Sequence, residues 1–325
     1  MALRLRRGFV TAVTERHDEL IRCEVDGHPC VAYPHLTGDV VVGDEVVVNA
    51  GARELGLGSG GFDVLYVNLT RGLELPQPND VHVMILPYSP GQAAARFAEE
   101  DHEAVAGLAG TPVVCCGLHS QVAPVSAALA GRRVVYVQLA GGALPVSLSD
   151  TLRALRARGL VAETIAVAPC FDADLQCVSV ASGLATAASR GAEVIVCGIG
   201  PGIVGTGTRL GHGGLAVADA ANAAVALGGR AVVAPRVSFG DARERHRGLS
   251  HHTRSALALC LAPCAVAWPD GLERPSEVDV EVVPVDGWGD VCAGLDLSHM
   301  GRGVDEDPWF FAAAFAAGRY AVRLL

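Results

Sequence analysis

The stretch Arg236–Arg254, RVSFGDARERHRGLSHHTR, sets Arg236, Arg243, Arg245, Arg247 and Arg254 against Asp241 and Glu244, with His246, His251 and His252 interleaved. In a chain of net charge −10 this is a basic island. Arginine forks match carboxylate and phosphoryl oxygens. Imidazoles near neutral pH can pass a proton or, when neutral, bind a metal. The stretch therefore reads as an anion site, with Arg243 and Arg245 pairing with the ligand and His246 or His251 transferring the proton. A solvated, salt-bridged loop is the structural alternative. A pair of these histidines holding a divalent metal is a further reading, although the H-E-x-x-H spacing of a helical zinc site is absent; the sequence names no cofactor. Neighbouring helix positions diverge, so only one of His251 and His252 is expected in any one site. Ser250 suits the N-cap of the helix that follows.

A second signal is Ala192–Thr208, AEVIVCGIGPGIVGTGT, where an apolar strand-like run leads into Gly200, Gly202 and Gly205 at G-x-G-x-x-G spacing. Glycines there let backbone N–H groups approach a phosphate, and Thr206 and Thr208 would add hydroxyl donors. Pro201 removes one N–H, and Pro235-Arg236 stand where a dinucleotide site needs an acid, so a nicotinamide-dependent oxidoreductase ranks third among the functional readings. Leu118-His119-Ser120-Gln121 follows another strand-like run and can offer His119 and Ser120 to the same cleft, or Ser120 only as a cap. PCFDADLQC, residues 169–177, supplies Asp172 and Asp174. Asp174 is a candidate general base or oxygen ligand for Mg²⁺, and both acids also fit a helix start.

These segments need a scaffold. Residues up to about Asn68 read as short strands (GFVTAV, LIRCEV, HPCVAYP, DEVVVNA, FDVLYVNL) with Asp26-Gly27 as a hairpin turn, which predicts a small β-barrel or sandwich-like domain over 1–72. The run Gly56–Gly61 reads as a flexible turn or ligand loop, and 72–80, with Pro76 and Pro78, as a linker. From 81 to 325, strand-like runs such as Pro112–Cys116, Arg133–Gln138, Thr164–Ala168, Glu193–Cys197, Ala231–Ala234 and Ala265–Trp268 alternate with helical ones. Among the latter are Gln92–Gly107, Val122–Leu129, Gln176–Arg190 and Thr253–Leu261. That rhythm predicts a mostly parallel, Rossmann-like three-layer α/β domain. Each candidate segment follows a different strand, and sites in such folds gather at the strands' carboxyl ends. The helix at 308–322, PWFFAAAFAAGRY in part, reads as core packing, with a dimer interface, and so a homo-oligomer, as the alternative.

Composition excludes several classes. The 325 residues are half apolar and only 18% charged, which argues against disorder. All 25 basic residues are Arg, so a P-loop lysine, a pyridoxal-phosphate Schiff base and any lysine nucleophile are ruled out. The acidic balance speaks against a nucleic-acid partner, and no apolar run reaches the length of a membrane span. The amino-terminal residues show no export signal, and the ten cysteines lack a C-x-x-C pair, so buried thiols in a cytoplasmic protein are expected.

Taken together, GPGIVGTGT, RVSFGDARERHRGLSHHT, LHSQ and the closing HMGRG…DPWFFAAAFAAG, with the β-rich start Gly8–Asn68, resemble an uncharacterised bacterial family, domain of unknown function 3866 (DUF3866). The resemblance covers nearly the whole chain and carries no assigned activity. Family members have a GHAFGGD-like stretch where this chain has APCFDAD. The resemblance therefore matches Asp174 to the family aspartate and sets Pro169 in place of a histidine, which weakens a metal role at that segment. The leading expectation is an enzyme binding a small phosphorylated or otherwise anionic metabolite, a hydrolase or group transferase. A non-catalytic metabolite sensor or assembly scaffold is the alternative.

Overall fold

The computed structural model describes residues 3–56, 60–76, 79–101 and 105–325. The chain divides into two compact units, Met1–Ala95 and Arg96–Leu325. Residues 57–59 of the Gly56–Gly61 run lie outside the described residues, as do 77 and 78 of the expected linker.

In the first unit, β1 (Leu5–Arg16), β2 (Ile21–Val25), β3 (His28–Ala32), β4 (Glu45–Asn49) and β5 (Asp63–Asn68) close into a barrel of order β1-β2-β3-β5-β4. Alternate residues, among them Val10, Ile21, Cys23, Val25, Cys30, Val46, Val48 and Leu65, fill its interior. Asp26 and Gly27 both take positive φ, 49° and 77°, the conformation a two-residue hairpin needs to match strand twist. The helix expected over Gln92–Gly107 does not form as such. Ala93–Ala95 (β7) pairs antiparallel with Val83–Ile85 (β6), and only Ala98–Asp101 is helical among the described residues. The helix preference of alanine is weak enough to be overridden by a pairing partner.

The second unit is built on β8 (Pro112–Cys116), β9 (Val134–Leu139), β10 (Glu163–Val167), β11 (Leu175–Cys177), β12 (Val194–Ile199) and β13 (Arg230–Ala234). A two-stranded ribbon, β14 (Val237–Ser238) and β15 (Gly248–Leu249), precedes the last sheet strands, β16 (Ala265–Pro269) and β17 (Glu281–Val283). The eight-stranded sheet runs β11-β10-β9-β12-β8-β13-β16-β17, with parallel neighbours throughout. The continuous apolar strands follow from burial on both sides. Val113, Cys115, Val135, Val137, Ile195 and Cys197 meet the helices Val180–Ser189, Ala216–Ala226 and His251–Leu257. Val114, Cys116, Tyr136, Val196 and Val232 meet Val122–Ala128, Asp150–Ala157 and Pro308–Arg323. The last of these is core packing: Phe310, Phe311 and Phe315 are buried.

The expected helix Gln176–Arg190 starts later, at Val180, because Leu175–Cys177 is a strand and Ser179 supplies the N-cap. All ten cysteines are free, and eight are buried. Among the described residues no helix is long and apolar enough to cross a membrane.

From β8 the chain moves outward through β9, β10 and β11, returns as β12 between β9 and β8, and then crosses to β13 on the other side of β8. The direction of winding therefore reverses around β8. In open α/β sheets the crevice at such a point, at the strand carboxyl ends, is where ligands bind.

Candidate functional site

Two loops rise over the carboxyl end of β8, one from each flanking strand. The loop after β12 leaves at Gly200 and turns back where Gly205 bridges His212. The Thr206 N–H bonds to the Gly211 carbonyl at 2.8 Å, and Gly207, at φ 81°, forms the tip. Its glycines serve close backbone packing. A Cβ on Gly200 would stand 2.1 Å from the Ala143 carbonyl oxygen, and one on Gly213 would stand 2.0 Å from that of Gly141. The G-x-G-x-x-G run does not open a helix. Residues 206–212 intervene before the turn Gly213–Leu215, so the geometry of a dinucleotide cradle is not present. Thr206 and Thr208 are exposed, their hydroxyl oxygens 2.9 Å apart. What the loop delivers is His212, 6% exposed, against the sheet.

The loop after β13 opens with Arg236 and folds back on itself as the β14–β15 ribbon, Val237 opposite Leu249. Ser250 ends it. The Ser250 N–H bonds to the Arg236 carbonyl, and its side chain caps the helix His251–Leu257 by accepting the His252 N–H. His251 and His252 are thus the first two helical residues, and both turn toward His212. His252 stacks on His212 at 3.9 Å and 15°, and His251 meets His212 edge-on at 5.5 Å. His246 lies 4.8 Å from each of the two helix histidines. The expectation that His251 and His252 diverge is therefore corrected. Successive helix residues are only about 100° apart, and at a helix terminus two imidazoles can bend together.

Behind the rings stands a buried ionic network. Asp241, 2% exposed, accepts from Nε and Nη2 of Arg243 at 2.9 and 2.8 Å and from Nη2 of Arg236 at 3.1 Å, with Arg302 at 3.5 Å. Burial alone would raise its pKa, but the hydrogen bonds of Arg243 and the charge of Arg236 hold it well below the usual carboxylate range. Asp307, also buried, accepts from the Ser238 hydroxyl, the Phe239 N–H and Nε of Arg302. Burial lowers Arg236 to about 10 against the opposing pull of Asp241. The other arm of Arg236 donates to Nδ1 of His252 at 3.2 Å.

Burial, reinforced by neighbouring arginines, keeps the imidazoles neutral. His252 falls to about 2 and His246 to about 3. His251 and His212 are also lowered, first by burial; for His212 the nearby Arg209 carbonyl opposes the shift. The Ser250 hydroxyl and Nδ1 of His246 are hydrogen-bonded at 2.7 Å, which fixes the ring orientation. Both ring nitrogens of His212 and Nε2 of His251 are buried without a hydrogen-bond partner.

The expected site residues separate accordingly. His246, His251 and the loop carrying Gly205 converge, and Arg245 reaches across to the loop tip, with Nη2 3.4 Å from where a Gly207 Cβ would sit. Gly202, at φ 73°, belongs to the same loop as a turn residue. Arg243 is engaged with Asp241, whereas Arg245 is exposed and, among the described residues, has no acidic partner. His119 is a framework residue. Its Nδ1 donates to the Ile199 carbonyl at 3.1 Å and its Nε2 accepts from the Ser149 hydroxyl at 2.6 Å, while burial lowers it to about 4. Ser120 bonds Nδ1 of His299 at 3.1 Å, and His299 lies flat on Phe310. Asp174 stays apart from the cluster. Its carboxylate accepts from the N–H and hydroxyl of Thr164 and pairs with Arg156, at the amino end of β10.

His212, Asp241, Arg302 and Asp307 were absent from the expected site. For His212 the available signal was its setting, a lone histidine between Gly211 and Gly213-Gly214 at the exit of the glycine run. Asp241 stood within the basic island as a counter-charge, whereas Arg302 and Asp307 reach Asp241 and Ser238 across 61 and 69 residues and left no local mark there.

A family model described as a protein of unknown function (DUF3866) matches residues 29–285. No curated protein matches the chain.

Proposed function

Because the chain belongs to the DUF3866 family, whose description assigns no function, its own site is the guide to its chemistry, and we propose that it is an enzyme acting on a small anionic compound by hydrolysis or group transfer. The observation that carries this reading is the convergence of His212, His246, His251 and His252 over β8, at the point where the strand order reverses, with Arg245 beside them. Arg245 is the anion-pairing residue, its fork turned to the Gly207 tip rather than to an acid among the described residues. His246, oriented by Ser250, or His251, with a ring nitrogen unpartnered, handles the proton. Asp241 is a positioning residue that holds Arg236 and Arg243 in place. The reading includes a cytoplasmic setting, in which free thiols stay reduced, and involves no nucleic-acid or membrane partner.

The test is a thermal-shift panel of phosphorylated metabolites, nucleotides and carboxylates, followed by turnover assays on any stabilising compound. A ligand at about 100 times its dissociation constant raises stability by about 2.7 kcal/mol. Arg245→Ala should cost about 1.5–3 kcal/mol of that ligand's binding energy. Unchanged affinity in the variant would remove Arg245 from the site, and tight binding without turnover would favour a metabolite sensor.

A further inference from the structure

Three of the clustered histidines form a donor set of which the anion reading draws on His251 alone. We infer that His212, His251 and His252 bind a divalent transition-metal ion of the zinc class. One ligand atom from each lies within 4.8 Å of the others. Zinc–nitrogen bonds of about 2.0–2.1 Å in tetrahedral geometry bring such atoms closer still, so loading requires the rings to reorient and the His252 ring to leave its stack on His212. An all-nitrogen set selects zinc, cobalt, nickel or copper over magnesium or calcium, which prefer oxygen.

The unpartnered atoms point the same way. His212 is 94% buried, from its 6% exposure, yet neither of its ring nitrogens makes a hydrogen bond, and Nε2 of His251 is in the same position. Buried polar atoms are nearly always satisfied; a metal takes one lone pair from each ring, and the N–H that His212 keeps has the Arg209 carbonyl nearby. The lowered proton affinity of all three rings is consistent, because only a neutral imidazole is a ligand.

His252 needs one exchange. Arg236 donates to its Nδ1, which places the ring proton on Nε2. The ion takes Nδ1 in place of that arm of Arg236, whose other arm stays paired with Asp241. Three neutral ligands leave the ion's double charge uncompensated, and Asp241 is already shared among Arg236, Arg243 and Arg302. An anion that takes the fourth position in place of water offsets that charge, so metal and anion strengthen each other's binding. This inference rests on the proposed function and deepens it. With His251 as a ligand, the proton-handling role passes to His246, which the set leaves free.

The experiment uses the full chain without a histidine tag, stripped with chelator. It is titrated with Co²⁺ while visible absorption is followed, and with Zn²⁺ followed by gel filtration and elemental analysis. One ion per chain and the intense visible bands of low-coordinate cobalt are expected, with affinity reduced about 10-fold or more in His212→Ala and in His251→Asn. Circular dichroism and the melting temperature establish that each variant is folded, and the half-buried His251 gives the second, milder substitution. No stoichiometric metal in the parent chain, or undiminished binding in both folded variants, overturns the inference. Inorganic pyrophosphate, titrated by calorimetry with and without Co²⁺, separates the two proposals. Arg245-dependent binding in chelator without any metal uptake sustains the anion reading and overturns the metal site. Metal uptake with no pyrophosphate response in any state does the reverse.

Discussion

His252 stacks on His212, 3.9 Å between ring centroids, although one ring comes from the helix after β13 and the other from the loop after β12. The contact ties together the two connections that straddle β8. Whatever disturbs the approach of either loop disturbs the site, and the first predictions concern the residues that fix those loops.

Asp241 is the common acceptor of Arg236, Arg243 and Arg302. Asp241→Asn keeps the shape and removes the charge, which leaves Arg236, 4% exposed, with its buried charge poorly compensated. A loss of about 3–5 kcal/mol is expected in urea unfolding followed by circular dichroism. A change below about 1 kcal/mol would mean that Arg236 finds another partner or reaches water.

Ser250 performs two tasks with one oxygen, capping a helix and holding His246. Ser250→Ala should cost about 1 kcal/mol of stability from the lost cap. It should also weaken turnover of any substrate found by more than that stability loss can explain. Ser250→Asn, which restores a cap without the hydroxyl geometry, should recover stability and leave turnover impaired.

Acid should loosen the second unit. His119 and His299 have folded pKa values of about 4 and about 3, depressed first by burial, against an ordinary value of about 6.5. The unfolded chain therefore takes up these protons first. Their contribution to stability is complete above about pH 6.5 and is lost as pH falls toward the folded values. At pH 5 each histidine accounts for about 2 kcal/mol of the loss. In His119→Gln, the fall in urea midpoint between pH 7 and pH 5 should be visibly shallower than in the parent, and an unchanged slope would contradict the assignment.

Gly318 tests packing against propensity. A Cβ there would lie 2.5 Å from the Val125 carbonyl oxygen and 2.7 Å from the Ala128 Cβ. In an exposed helix Gly→Ala would stabilise by about 1 kcal/mol. Here overpacking should reverse the sign, destabilising by about 1–3 kcal/mol in chemical denaturation.

Much of this architecture was legible in the sequence because burial on two faces writes long apolar runs, such as Pro112–Cys116 and Glu193–Cys197. The basic island was legible too, since opposite charges and histidines stand out in an acidic, apolar chain. Ala93–Ala95 and Leu175–Cys177 were missed because three-residue strands carry no period, and their pairing partners decide them. Asp174 was drawn into the expected site because it follows a strand in sequence. The chain between β10 and β11 runs back down to the amino end, where Thr164 holds it. The glycine run looked like a phosphate cradle because sequence spacing cannot distinguish a backbone left open for a ligand from one occupied by another backbone, here Ala143 and Gly141.

The ionic network also imposes an order of assembly. Arg236 and Asp241 lie on one loop, but Arg302 and Asp307 reach them from a segment that follows two further strands of the sheet. Contacts so distant in sequence form after the local ones, because the closure entropy must be met before they can reward it. During refolding the network therefore closes together with the sheet, whose own β8–β13 pairing spans a still longer stretch of chain. A chain with native local structure but without that closure has both histidine loops unset.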